Sequence, residues 1–195
     1  AMNRGYTIGQ YYEFIDRARG LMPDINLASD FIVGFPTETE DEFQTCKDVI
    51  RYCRFKNSFI FKYSPRPGTV AIKRLADDVP DEVKKRRNNE LLAVQNEISD
   101  ANAQAMVGQV FELMVEGESK HAAKAYPASN VQLGSGFDRP MEAASQLVGR
   151  TRGDQIVVFE GDPQLAGQLV DVRVSRARGL TLFGERVDVA VSQSP

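Results

Sequence analysis

The sequence predicts an α/β unit followed by a small all-β barrel. Over about the first 103 residues, apolar side chains recur at helical steps of three and four and alternate with short apolar runs. From about residue 104 onward, the apolar period changes to two, as in half-buried strands. With 195 residues and 42% hydrophobic content, the chain is long enough for two modest cores. We therefore expect two domains, at residues 1–103 and 104–190.

Three long helices are predicted in the first domain. Thr7 with Gln10, and Thr39 with Glu42, have the spacing of capping boxes, which satisfy free backbone groups at helix starts. The third helix is expected at about residues 81–107, after Pro80. The predicted buried faces are Tyr11, Phe14, Ile15, Ala18 and Leu21; then Phe43, Cys46, Ile50 and Cys53; then Leu91, Val94, Ile98, Ala101 and Ala105. Residues 84–87 are expected to form a solvated basic turn.

Two strands are predicted between these helices. Residues 25–35 contain the apolar run Phe31-Ile32-Val33 and close with Gly34 and Pro36, which is typical of a strand buried on both faces. The second strand is expected at residues 58–63, before a proline-rich turn. Helix, strand, helix, strand is the order found in a parallel α/β sheet.

At least four short strands, separated by glycines, are predicted in the second domain. They are expected at about residues 109–116, 155–159, 170–175 and 180–183. A small closed barrel accommodates such strands without exposed edges. The intervening Gly-, Ala- and Ser-rich stretch has no clear period, and we interpret residues 121–144 as a mobile loop inserted in the barrel.

Composition excludes several kinds of function. The formal net charge is −3, so RNA binding would have to come from local basic patches rather than a global one. The single histidine, His121, argues against a zinc cluster or a Ser-His-Asp triad. Cys46 and Cys53 share a helical face with apolar residues, which favours buried structural thiols in a reducing compartment. Apolar runs stay far below the ~20 residues of a membrane span, so we expect a soluble cytoplasmic protein without membrane association.

Two motifs at the predicted strand ends are candidate ligand sites. Gly34, with Glu38 at the mouth of the next helix, lies where ligands bind in α/β sheets, although a plain strand-to-helix turn also explains it. Arg66 lies between two prolines, in a stiff loop suited to an anionic or phosphate-bearing ligand. A proline-braced turn with a solvated arginine is the alternative.

Three collinear segments and the barrel region resemble the radical-SAM tRNA methylthiotransferases. The segments are residues 3–7 (NRGYT), 29–40 (SDFIVGFPTETE) and 63–69 (YSPRPGT). Residues 149–152 and 167–172 are similar to the TRAM domain that ends these enzymes, an OB-like RNA-binding barrel. The form of residues 63–69 favours the branch acting on N6-dimethylallyladenosine, and the threonylcarbamoyl-adenosine branch stays open. The family pattern lacks the insert at about residues 121–144.

The resemblance implies the C-terminal portion of a partial (β/α) radical-SAM barrel, followed by a TRAM barrel. The parent enzyme would methylthiolate C2 of the modified adenosine next to the anticodon of tRNA, using S-adenosylmethionine and two [4Fe–4S] clusters. None of the cysteines that hold these clusters is present here, since this chain has only two. We therefore expect that the chain begins within a domain and is inactive alone. A stand-alone RNA-binding module is the alternative.

The resemblance also implies candidate binding residues. The S-adenosylmethionine pocket would be lined in part by Ile32, Gly34, Glu38, Tyr63 and Arg66. For RNA, arginines on a barrel face and an aromatic side chain for stacking are the usual OB-type arrangement. The candidates are Arg150, Arg152, Arg176, Arg178, Lys120 and Phe159, with a merely solvated surface as the alternative. A partial barrel would leave strand edges and an apolar face exposed, so we also expect self-association.

Overall fold

The structure, a computed structural model, describes residue 2, residues 4–119 and residues 145–187. The chain divides into two compact units, Ala1–Asn102 and Ala103–Pro195. The predicted mobile insert at about residues 121–144 lies outside the described residues, and so does Lys120.

Four helices are described in the first part of the chain. They are α1 (Ile8–Leu21), α2 (Glu40–Cys53), a short α3 (Val70–Arg74) that the sequence did not predict, and α4 (Asp81–Ala105). Both predicted capping boxes are confirmed: Thr7 and Thr39 each cap a helix, with Gln10 and Glu42 returning a hydrogen bond. These caps fix where α1 and α2 begin.

Two parallel strands form the sheet of the first unit. They are β1 (Ala28–Val33) and β2 (Asn57–Lys62), paired from Ala28 opposite Asn57 to Val33 opposite Lys62. Phe31 and Ile60 pack on the core, whereas Ile32, Phe59 and Phe61 are exposed. The prediction of a strand buried on both faces is therefore wrong, because only one face of this sheet is covered by helices within the described residues.

Some residues of α1 and α4 that the sequence predicted to be buried are exposed. On α1 the buried face follows Tyr11, Ile15 and Ala18, while Phe14 and Leu21 are exposed on another side. On α4 the buried positions drift along four-residue steps, so the predicted Ala101 and Ala105 are exposed. The core residues are Ile15, Val33, Phe43, Val49, Ile50, Cys53, Phe55, Leu91 and Val94.

The second unit contains a closed barrel, as the sequence predicted, with a fifth strand that the sequence analysis did not locate. Its strands are β3 (Val110–Glu118), β4 (Ser145–Thr151), β5 (Ile156–Gly161), β6 (Leu169–Arg178) and β7 (Thr181–Arg186), with a short 3-10 helix at Pro163–Leu165. They close in the order β3-β4-β5-β7-β6, and β6 pairs back to β3. All pairs are antiparallel except β5 with β7.

The barrel core is built from the inward side of each strand. Leu113, Val115, Val170, Val172 and Val174 are buried there, as their alternation predicted. The other core residues are Ala103, Leu147, Val157, Phe159 and Leu182.

Candidate functional sites

Glu38 is held at the end of β1 by neighbouring groups. Its carboxylate accepts a hydrogen bond of 2.6 Å from the Gly34 amide and one of 2.7 Å from Arg87 Nη1. The two side chains of this ion pair are only 6% (Arg87) and 10% (Glu38) exposed. Both hydrogen bonds end on Oε2, so they hold the carboxylate in place after β1 without using its second oxygen, Oε1.

The conformation and surroundings of Gly34 explain why it is glycine. Its φ of 71° lies in the left-handed region, and a Cβ there would come within 2.3 Å of Lys84 Cγ. The Lys84 ammonium ion-pairs with Asp77 at 2.6 Å and lies 5.5 Å from the centre of the Tyr63 ring. The backbone space at Gly34 is therefore filled by this chain's own lysine.

The prediction of a solvated basic turn at residues 84–87 is wrong for two of its members. Lys84 and Arg87, in the first turns of α4, are buried because each forms an ion pair with a carboxylate of the first unit. Arg86 stays on the surface and bridges Glu40 and Glu90. Hydrogen bonds from Arg86 and then Arg87 lower the pKa of Glu40 to about 2, so this network is charged at neutral pH.

A cavity of about 530 Å³ lies beside β1, within the size range of small-molecule sites. Its lining includes Tyr11, Asp30, Ile32, Phe35, Glu38 and Cys46. Of the predicted cofactor-binding residues, Ile32 and Glu38 line this cavity, whereas Gly34, Tyr63 and Arg66 do not. Tyr63 is half-buried against Phe35, with ring centres 5.1 Å apart, and Arg66 is exposed.

The two thiols do not fit an iron–sulfur cluster. Cys53 is fully buried, and Cys46 is half-buried against the same core, in agreement with the predicted structural role. Burial raises the pKa of each thiol to about 11, which disfavours the thiolate that a cluster requires. Within the described ranges, no three His, Cys, Asp or Glu side chains are grouped to hold a metal ion.

Four neighbouring barrel strands bring three of the predicted arginines to one face. Arg150 pairs with Ile156, Ile156 with Thr181, and Thr181 with Arg178, which forms one row across β4, β5, β7 and β6. A second row beside it runs through Val148, Val158, Phe183 and Arg176. We call these eight residues the outer face. Core residues alternate with these eight residues along each strand, so the side chains of all eight point away from the barrel core.

A β-bulge in β6 turns two of these arginines outward. Val174 pairs with Gly184, but the next paired residue is Arg176, opposite Phe183, which leaves Ser175 as the extra residue. Val174 and Ala177 both pack on the core, so Arg176 and Arg178 point away from it. Uninterrupted alternation from Val174 would have turned both arginines inward.

The four predicted arginines differ in their partners. Arg150 Nε donates to Glu116 at 2.8 Å, and Arg150 also ion-pairs with Asp154, both as solvent-exposed pairs that a phosphate can displace. Arg152 and Arg178 are exposed, and neither has an ion-pair partner in the part of the chain that the structure describes. The Arg176 guanidinium lies 4.0 Å from the centre of the Phe183 ring.

The stacking residue predicted from the sequence is wrong. Phe159 is only 2% exposed, because it faces into the barrel core beside Leu147 and Leu182. The aromatic side chain on the outer face is Phe183, which the sequence analysis assigned only to a strand. The sequence did contain a signal for this position. Neighbouring residues of a strand point to opposite sides, so the apolar Leu182 in the core places Phe183 on the outside.

Comparison with known proteins covers both units. The sequence model of the TRAM domain matches residues 141–187. Similar proteins named tRNA-2-methylthio-N6-dimethylallyladenosine synthase occur in several bacteria. The one from Rhodopirellula baltica is 47% identical over 97% of this chain, that from Acidovorax sp. 44% over 96%, and that from Porphyromonas gingivalis 35% over 98%.

Over nearly its whole length, the chain is similar to proteins named tRNA-2-methylthio-N6-dimethylallyladenosine synthase, and its C-terminal part matches the TRAM domain. It spans 37% of the length of each of these three synthases. The family resemblance predicted from residues 3–7, 29–40 and 63–69 is thereby confirmed. Among the described residues, no helix is both long enough and apolar enough to cross a bilayer.

Proposed function

We propose that this chain is the RNA-binding and partial cofactor-binding portion of a cytoplasmic enzyme that methylthiolates tRNA. The substrate position would be C2 of N6-dimethylallyladenosine, next to the anticodon. The names of the relatives favour this branch over the threonylcarbamoyl-adenosine branch. In this proposal the barrel binds tRNA near the anticodon, and the first unit contributes one side of the S-adenosylmethionine pocket.

The observation that supports RNA binding is the position of the arginines on the barrel. The turns that follow β4 and β6 lie at the same end, because β5 and β7 run parallel. Arg152, in the first turn, and Arg178, before the second, therefore lie at that end together with Arg150. Clustered arginines can bind phosphates even in a chain with a net charge of −3.

The support for cofactor binding comes from the end of the β1–β2 sheet. Ile32 offers an exposed apolar side chain, and Tyr63 and Arg66 follow β2. Glu38 and Gly34 act as positioning residues in this proposal, since they contact Arg87 and Lys84. S-adenosylmethionine and two [4Fe–4S] clusters would supply radical and sulfur chemistry in the parent enzyme. The described residues cannot hold a cluster, so we propose that this chain alone is inactive.

The RNA-binding part of the proposal is tested by titrating an unmodified tRNA transcript at several salt concentrations. Each phosphate contact contributes about −0.9 to the slope of log K against log salt on a duplex and about −0.7 on a single strand. The triple variant Arg150→Gln, Arg152→Gln, Arg178→Gln should flatten the slope by about 2–3 units.

The matched control removes three charges from the surface of the first unit. The variant Arg17→Gln, Arg51→Gln, Lys73→Gln loses the same net charge, and its slope should stay near that of the unmodified chain. Equal slopes for the two triple variants would overturn the proposed RNA-binding face.

A further inference from the structure

The pair formed by Arg176 and Phe183 is not explained by phosphate binding. The Arg176 guanidinium lies over the Phe183 ring with its Cζ atom 4.0 Å from the ring centre, a cation–π contact that restrains its position. Arg176 is exposed, and the Phe183 ring beneath its guanidinium is half-buried. Arg178, two residues on, has no such contact within the described ranges.

The backbone fixes this pair in place. Ser175, the extra residue of the β6 bulge, donates a hydrogen bond from its hydroxyl to the Phe183 carbonyl oxygen at 3.2 Å. The bulge thus ties β6 to β7 at the position of the aromatic ring. Bulges often serve to re-aim a side chain, and this one aims Arg176 over Phe183.

The surroundings of the pair are apolar on one side and basic on the other. Val158 and Val148 continue the row of Phe183 across β5 and β4. The neighbouring row ends at Arg178, and Arg152 lies in the turn at the same end of the barrel. Val158 is itself buried, so the accessible apolar group is the half-buried Phe183 ring, and such a ring next to unpaired positive charge matches a ligand with flat rings joined by phosphates.

We propose that the stacked pair of Phe183 and Arg176 is a platform for one unpaired nucleobase of single-stranded RNA, with Arg178 and Arg152 binding the flanking phosphates. Bases stack on aromatic rings and on arginine planes only when they are splayed out of a helix. A paired stem therefore cannot use this platform. The inference rests on the proposed function, and it specifies an unpaired segment of the tRNA as the part that the barrel binds.

The experiment uses the full chain and a single-stranded oligouridylate that carries one central 2-aminopurine, whose emission is quenched on stacking. The variants are Phe183→Leu, which keeps an apolar side chain, and Arg176→Lys, which keeps the charge. Each should weaken binding by about 5- to 150-fold, the range for loss of one base-stacking contact, and should abolish the quenching. The melting temperature of each variant reports whether the barrel is intact.

Arg173→Lys is the matched control, because Arg173 lies on the same strand before the bulge, opposite Glu185. It should bind within twofold of the unmodified chain and keep the quenching. An RNA duplex of equal length should bind without any contribution from Phe183. If Phe183→Leu and Arg176→Lys bind and quench like the unmodified chain, the platform is wrong while RNA binding stands. If the unmodified chain binds neither the oligouridylate nor tRNA, RNA binding by the barrel fails as a whole.

Discussion

Buried charges are the main surprise at the residue scale. The Lys84 ammonium group pairs with a carboxylate that lies just before α4. The Arg87 guanidinium pairs with one that is distant in sequence. Removing one partner of such a buried pair commonly costs about 3–5 kcal/mol, because the other charge is left without compensation. Even here the Arg87 Nε lacks a hydrogen-bond partner among the described residues. These pairs therefore specify the shape of the loop after β1 more than they add net stability.

Gly34→Ala should destabilise the first unit by about 2–4 kcal/mol, because it combines a left-handed backbone with a clash against Lys84. Gly68→Ala is the control. Gly68 also has a positive φ, of 86°, but nothing lies within 4 Å of its Cβ position, so about 1 kcal/mol is expected. Urea unfolding followed by the helical circular dichroism signal measures both. Equal losses would show that Lys84 does not enforce the glycine.

At the scale of elements, capping decides where the helices begin. Thr39→Ala removes the acceptor for the Glu42 amide and breaks the capping box of α2, which should cost about 1 kcal/mol. Thr45→Ala, in the middle of the same helix, should change stability by less than about 0.5 kcal/mol. Urea midpoints of the two variants provide the comparison. A loss at Thr45 as large as that at Thr39 would contradict the role of the cap.

The elements with local signals were predictable from the sequence, and those set by distant partners were not. Capping boxes located α1 and α2, and alternation located β3 and the first part of β6. Strand β4 was missed because one of its inward positions is Gly149, whose absent side chain leaves room for the Met114 carbonyl and interrupts the apolar period.

The candidate sites were predicted with the same limits. The sequence indicated the arginines of the outer face, but their grouping depends on strand order and on the β6 bulge. Phe159 was chosen over Phe183 because it ends an uninterrupted apolar run, in which alternation does not show which side faces the core, and the outward position of Phe183 beside Leu182 was overlooked. Likewise, Glu38 was identified by motif, while its partner Arg87 is 49 residues away.

At the scale of the whole molecule, one face of the β1–β2 sheet carries large apolar side chains that no described residue covers. Phe59 and Phe61 are 59% and 54% exposed, with stacked rings, and Ile32 lies opposite Phe61 on the same face. Large exposed apolar groups on a sheet with unpaired edges favour association with another copy. We therefore expect the isolated chain to self-associate through this face.

Light scattering tests this expectation on the full chain. The unmodified chain should be larger than a monomer, and the double variant Phe59→Lys, Phe61→Thr should shift to the monomer mass. Phe14→Ser is the control, since Phe14 is 65% exposed on α1 and lies off this sheet. A clean monomer for the unmodified chain would refute self-association.

The β6 bulge constrains how this barrel can evolve. Residue types in β6 can be exchanged as long as core positions stay apolar, but the number of residues in the strand cannot change freely. Loss of the single extra residue, Ser175, would shift the phase of everything after it and drive Arg176 and Arg178 toward the core. A deletion of one residue there would thus cost the barrel both its stability and its basic face, whereas a substitution at the same position would affect only one hydrogen bond.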